Sequence, residues 1–238
     1  MGELDLKLLL LINGWVGESW SFDRLVLQVA WSNVLKGAVL VALLWWSWER
    51  PSAKLPVLMI VRTLAGSLLA VAVGRGMQNF LPVRPRPLHD PAVTEAGLKL
   101  AHDLPADILR NMSSFPSDHA VLAFAIATAV FLAHRGVGIF AFGWALFVST
   151  LPRVYLGMHY PFDVLGGAVI GIITMVLAAY LPLPARAGHA VSQLAQSYRG
   201  WFYAGLFLMT YQMANLFVDA RILLNVAADI LSAFFDRL

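Results

Sequence analysis

The sequence predicts an all-α protein, a polytopic integral membrane helical bundle of about six transmembrane helices. Two features of the chain carry that prediction. Hydrophobic residues make up 59% of the 238 positions and charged residues only 13%, with a mean hydropathy of +0.71, whereas soluble domains are about one quarter charged. Apolar stretches near the roughly 20 residues needed to cross a hydrocarbon core recur at 33–49, 57–80, 117–134, 138–156, 162–181 and 201–218, some interrupted by a single arginine or lysine.

The opening MGELDLKLLLLING is acidic and then briefly apolar. It lacks the basic start of a cleavable signal and reads as a short interfacial helix or partial span. Stretch 33–49 ends in Trp45, Trp46 and Trp48, residue types that anchor a span at the interface. ERPSAKLP at 49–56 breaks the chain before 57–80, and HRGVG (134–138), MHYP (158–161) and LPLPARAGH (181–189) punctuate the later spans. The one long connection, 81–116, is proline-rich and charged, with a short helix expected at 104–112; a loop of such length in a compact protein is usually functional or disordered. Past residue 218, apolar residues at helical intervals predict an amphipathic helix. The expected organisation is a membrane core over 1–181, with its chemistry between 79 and 163, and an extension over 182–238 holding a further transmembrane helix and the amphipathic helix.

Some function classes drop out at once. There is no cysteine, hence no disulfide or thiolate chemistry. The formal net charge of +3 is dispersed, which gives no support to nucleic-acid binding.

Alternating the spans brings loop 81–116 and turn 152–161 to one side of the membrane. The other side carries Arg50, Lys54, Arg135, Arg186 and Arg199 in short loops, and the positive-inside rule assigns it to the cytoplasm. The outward face then holds Arg84, Arg86, His119, Arg153 and His159.

In SSFPSDHA (113–120), Pro116 is expected to open a helix whose first turn contains Ser117, Asp118 and His119; Pro161 is expected to do the same just after His159, with Asp163 in the first turn. Helix N-termini present free N–H groups to anions. Arginine's planar fork suits phosphate oxygens. The three guanidiniums of Arg84, Arg86 and Arg153, with two imidazoles, a serine hydroxyl and two helix N-termini, make an arrangement for a phosphate dianion rather than a metal. Charged groups pointing into a membrane bundle are energetically expensive and tend to be functional.

These residues resemble the type 2 phosphatidic acid phosphatase superfamily, which includes bacterial undecaprenyl-diphosphate phosphatases. Its signature is Lys-x6-Arg-Pro, then Pro-Ser-Gly-His, then Ser-Arg-x5-His-x3-Asp. The chain reads NFLPVRPRP at 79–87, FPSDH at 115–119 and PRVYLGMHYPFD at 152–163, with Asn79 in the lysine position, Asp118 for glycine and Pro152 for serine. The resemblance covers roughly 57–181, and its phrasing is nearest the undecaprenyl-diphosphate branch. It implies that His159 is the nucleophile and forms a phosphohistidine, that Asp163 orients it, and that His119 is the general acid. Arg86, Ser117 and Arg153, with Asn79 and Asp118 at the motif positions, would bind the phosphate. No cofactor or metal is implied. The expected substrate is a lipid-linked phosphate or diphosphate among membrane lipids, undecaprenyl diphosphate first. Phosphatidic acid or phosphatidylglycerol phosphate hydrolysis, lipid phosphotransfer, and a catalytically silent lipid-binding relative stand as alternatives. No sequence feature identifies a protein partner.

Overall fold

The computed structural model describes residues 2–48, 56–105, 107–110, 112–182 and 185–235. It is helical throughout: α1 (Glu3–Asn13), α2 (Trp20–Trp31), a π-helical turn (Val34–Ala38) leading into α3 (Val39–Trp48), α4 (Pro56–Phe80), α5 (Pro91–Glu95), α6 (Asp118–Ala133), α7 (Arg135–Trp144), a second π-helical turn (Ala145–Thr150) leading into α8 (Leu151–Tyr155), α9 (Pro161–Tyr180), α10 (Ala185–Ser197), α11 (Arg199–Ala214) and α12 (Val218–Phe235).

Among the described residues, three helices are long and apolar enough to cross a membrane: Leu58–Phe80, Arg135–Tyr155 and Pro161–Tyr180. They coincide with three of the six expected spans. The expected span at 33–49 is one limb of a pair, Trp20–Trp31 and Val34–Trp48, bent by 58°. The segment expected at 117–134 is the apolar but shorter helix Asp118–Ala133, and the 16-residue α11 covers 201–214 of the sixth stretch. The break expected at 49–56 lies almost wholly outside the described residues.

Helices α6 and α9 form the centre, with α4 against both. Small residues let the backbones approach. A Cβ on Gly171 would sit 2.2 Å from the Val121 carbonyl oxygen, and one on Gly167 would sit 2.7 Å from that of Ser117. Close backbone approach through small residues is the usual way membrane helices associate, because lipid gives no hydrophobic drive between them. The opposite face of α9 exposes Leu165, Val169, Ile173 and Leu177 at four-residue intervals, a stripe suited to acyl chains. The main core runs through Leu40, Leu44, Val121, Ile126, Val130 and Met175.

At one end of this bundle α1 and α2 pack on α8 and the turn that follows it. Two smaller apolar clusters form there, one around Leu9, Val93, Tyr160 and Val164, the other around Val16, Leu27, Leu156 and Met158. The described residues of 104–112 form turns, not the expected helix. Leu109 has a φ of 61°, a left-handed conformation that interrupts a right-handed helix. The only regular elements before Pro116 in this loop, among the described residues, are the 3-10 turn Pro87–His89 and α5.

Candidate active site

The site is built where three chain segments meet at the N-termini of α6 and α9. Helix α8 stops at Gly157, whose φ of 71° is the left-handed geometry glycine supplies at a helix C-terminus. The Met158 N–H then returns to the Arg153 carbonyl at 2.8 Å, and the Gly157 carbonyl accepts from the Leu88 N–H at 3.0 Å. This knot places His159 immediately before α9, which Pro161 opens at its first position. The corresponding expectation at the other terminus shifts by one residue. Ser117 is the N-cap of α6 and Asp118 its first residue, so Pro116 lies just outside the helix.

His159 is 2% exposed. Its Nδ1 lies 2.9 Å from the Ser114 carbonyl oxygen and its Nε2 lies 3.0 Å from Arg86 Nη1. A carbonyl only accepts and a guanidinium only donates, so the neutral Nδ1–H tautomer satisfies both contacts and turns the Nε2 lone pair toward Arg86. Burial holds the imidazole down at about 4 against the opposing pull of the Asp163 carboxylate, with the Arg86 and Arg153 charges adding smaller depressions. The nitrogen is therefore unprotonated at neutral pH.

Asp163 Oδ2 stands 3.7 Å from His159 Nδ1. Its carboxylate accepts from the Tyr160 N–H at 2.9 Å, the Ser114 hydroxyl and Arg84 Nη1. The direct contact of the imidazole is with the Ser114 backbone, and Asp163 holds the segment that carries that backbone. Arg84 extends the network: Nη2 is 2.6 Å from Asp5 Oδ2, and Asp5 in turn accepts from the Phe162 N–H at 3.0 Å. The guanidinium also lies 4.0 Å from the centre of the Tyr160 ring. Helix α1 is thus tied by charge to the start of α9.

Arg86 is 4% exposed and donates to the Met158 carbonyl at 2.9 Å. Burial lowers its guanidinium to about 10, so it stays charged. Arg153, equally buried, donates to the Ala30 carbonyl at 2.8 Å and leaves Nε without a partner. His119 Nε2 and the Ser117 hydroxyl are also buried without partners. Buried polar groups are nearly always satisfied. Unsatisfied ones grouped together, two of them from cationic or imidazole side chains, describe a place for an anion.

A cavity of about 240 Å³ brings Arg153 and His119 together. Its lining includes Arg86, Arg153, His119, His159, Asp118 and Arg75. The buried Ser117 does not line it, and Asn79 is exposed and does not line it either. The neighbouring Gln78 is buried instead, donating to the Pro116 carbonyl at 2.8 Å and to Asp118 at 2.9 Å. Arg75 pairs with Asp118 at 2.6 Å. Where the family pattern has a lysine, this chain reaches the site from α4 through Arg75 and Gln78.

Sequence reasoning did not single out Ser114, Gln78, Asp5 or Lys36. The last of these lines the cavity from the π-helical turn before α3. A lysine inside an apolar stretch is a signal in itself; for Ser114, which acts through its carbonyl, no side-chain signal exists.

The PAP2 superfamily profile matches residues 57–186. YbjG of Escherichia coli (strain K12), provisionally named an undecaprenyl-diphosphatase, is 31% identical over 197 residues, covering 82% of this chain and 90% of that protein. The undecaprenyl-diphosphatase BcrC of Bacillus subtilis (strain 168) is 42% identical over 65 residues, 26% of this chain and 31% of BcrC. The lipid A 4'-phosphatase of Bacteroides thetaiotaomicron is 28% identical over 182 residues, 72% of this chain and 73% of that protein. With the ordered motifs meeting in one cavity at the end of apolar helices, the chain belongs to the PAP2 superfamily and is a membrane-embedded phosphoric ester hydrolase.

Proposed function

We propose that the protein hydrolyses undecaprenyl diphosphate to undecaprenyl phosphate through a phosphohistidine on His159. The observation that carries the reading is the cavity shared by His159, His119, Arg86 and Arg153, together with relatives named for that substrate. In the first step His159 Nε2 attacks the terminal phosphorus and the bond to the bridging oxygen breaks. His119 delivers a proton to that oxygen as undecaprenyl phosphate leaves. In the second step water attacks the phosphohistidine, His119 takes back a proton, and the P–N bond breaks to release phosphate. Arg86 and Arg153 face the charge that builds on the nonbridging oxygens. Asp163 acts as a positioning residue through Ser114 and Tyr160.

The lipid A 4'-phosphatase relative supports a second reading, a phosphate ester on a saccharide lipid. The test is phosphate release by the purified protein in detergent, with undecaprenyl diphosphate, lipid A, phosphatidic acid and phosphatidylglycerol phosphate offered separately, and with His159→Ala as the control. Preferential release from the diphosphate that vanishes in the variant is the expected result. Preference for lipid A or a phospholipid would move the substrate, and no release from any of the four by folded protein would sink the enzymatic assignment.

The site is further proposed to face away from the cytoplasm. The cavity lies at one end of α4, α6 and α9, while Arg135 and Arg186 lie next to their other ends. Glu95 is exposed on the cavity side, and the chain has no cysteine. Glu95→Cys should react with an impermeant maleimide in intact cells; labelling only after membrane disruption would reverse the assignment.

A further inference from the structure

Lys36 has no place in the PAP2 motifs, yet the fold delivers it to the active-site cavity with unusual care. It sits in the π-helical turn Val34–Ala38, at the bend between α2 and α3. Single π-turns inside helices are frequent at functional sites. This one is braced by the second π-helical turn and the end of α7: Ser149 donates to the Lys36 carbonyl at 2.8 Å, and Trp144 Nε1 donates to the Leu35 carbonyl at 2.7 Å. On its other side α11 presses on Gly37, where a Cβ would come 2.1 Å from the Ala214 carbonyl oxygen. The backbone under Lys36 is thus fixed from two directions. Among the described residues its ammonium has no hydrogen bond and no ion pair, while the guanidiniums that line the cavity with it do: Arg75 with Asp118, Arg86 with the Met158 carbonyl and Arg153 with the Ala30 carbonyl.

Its location along the cavity is informative. His159, Arg86 and Met158 line the site cavity alone. Lys36, His119 and Leu216 line it and also a narrow apolar cleft beside it, walled by Leu40, Leu122, Ile126 and Met213. The nucleophile and its arginine therefore occupy one end, and His119 and Lys36 stand between that end and the apolar cleft. A phosphoryl group seated on His159 would direct its leaving oxygen toward His119. In a simple monoester the next atom is carbon, and a half-buried ammonium would be left against a methylene group. In a diphosphate the next group is a second phosphate.

Resting on the diphosphate reading above, we infer that Lys36 binds the phosphate that remains on the lipid and thereby selects diphosphates over monoesters. An uncompensated charge facing the wrong substrate discriminates as effectively as a good contact to the right one. The lysine missing at position 79 is then replaced by one from a different helix, directed at a different phosphate.

The experiment measures calorimetric affinity for inorganic pyrophosphate and orthophosphate in detergent, with phosphate release from undecaprenyl diphosphate alongside. The wild type should bind pyrophosphate the more tightly. Lys36→Met should weaken pyrophosphate at least tenfold and orthophosphate less than threefold, and should slow release by a similar factor. Lys36→Arg should retain most of the preference, and Lys36→Gln serves if the methionine variant does not fold. Equal weakening of both anions, no weakening of either, or a wild type without pyrophosphate preference would overturn the inference. A wild type that prefers pyrophosphate but releases no phosphate from undecaprenyl diphosphate would leave the second phosphate subsite standing and remove the proposed substrate.

Discussion

Substituting Gly171 by alanine tests whether the packing of α6 on α9 sets the geometry of the site. The new Cβ would stand 2.2 Å from the Val121 carbonyl oxygen and 2.9 Å from the Ala125 nitrogen. Both atoms are helix backbone and cannot rotate away, so the helices must part by about 0.8 Å to bring the tighter contact out to 3.0 Å. Overpacking of this kind costs about 1–3 kcal/mol. The two helix starts carry His119 and His159, and a misplacement of about 1 Å at reacting groups costs on the order of 100-fold in rate. Gly167→Ala meets the Ser117 carbonyl oxygen at 2.7 Å and needs a smaller shift. Gly143→Ala, in α7, meets nothing within 4 Å and is the control. The assay is kcat/KM for phosphate release, on the monodisperse fraction from size exclusion, together with the thermal midpoint. Loss should increase from Gly143→Ala through Gly167→Ala to Gly171→Ala, the last approaching 100-fold. Wild-type activity and midpoint in Gly171→Ala, or a reversed order, would refute the reasoning.

Further outcomes follow from individual contacts. With the His159 pKa held at about 4 by burial and neighbouring arginines, its ring should stay neutral from neutral pH down to about 4. Unfolded chains take up that proton near the ordinary histidine value of about 6.5, so this residue's contribution to stability falls as pH drops through that window. Nitrogen-15 histidine spectra, assigned with His159→Ala, would show it; a ring titrating near its ordinary value would contradict the depression. Removing Arg84 leaves Asp5 and Asp163 without their shared cation, and Arg84→Ala should destabilise by about 3 kcal/mol, the lower end for breaking a buried pair. In a cycle with Asp5→Asn the two losses should be non-additive by about 1 kcal/mol or more, and strict additivity in the unfolding midpoints would mean the contact is idle. Because Asn79 is exposed and off the cavity, Asn79→Lys should change kcat/KM by less than twofold despite restoring the family pattern, and a tenfold gain would show that α4 presents that position to the substrate.

Much of this molecule was legible in one dimension. Apolar runs of membrane length identify helices because an unsatisfied backbone cannot exist in hydrocarbon, and three of the six expected spans appear at full length. The motif residues Arg86, His119, Arg153 and His159 are legible because charged groups are rare in such a chain, and the structure brings all four to one cavity. The short helix expected at 104–112 failed for a local reason, the left-handed turn at Leu109, which residue type does not announce.

What required three dimensions is of another kind. Ser114 orients His159 through a carbonyl that every residue possesses, so only chain geometry singles it out. Asp5 and Arg84 are 79 positions apart, and Arg84 and Asp163 are separated by the same interval; such pairs exist only once α1 docks on the start of α9. Lys36 reads as an interruption of an apolar stretch until the bend after α2 turns it beside His119. Composition and periodicity determine which segments are helices and which residue types will be costly to bury. Which of those residues share a cavity depends on contacts distant in sequence, because helix packing, not local preference, sets where each terminus comes to rest.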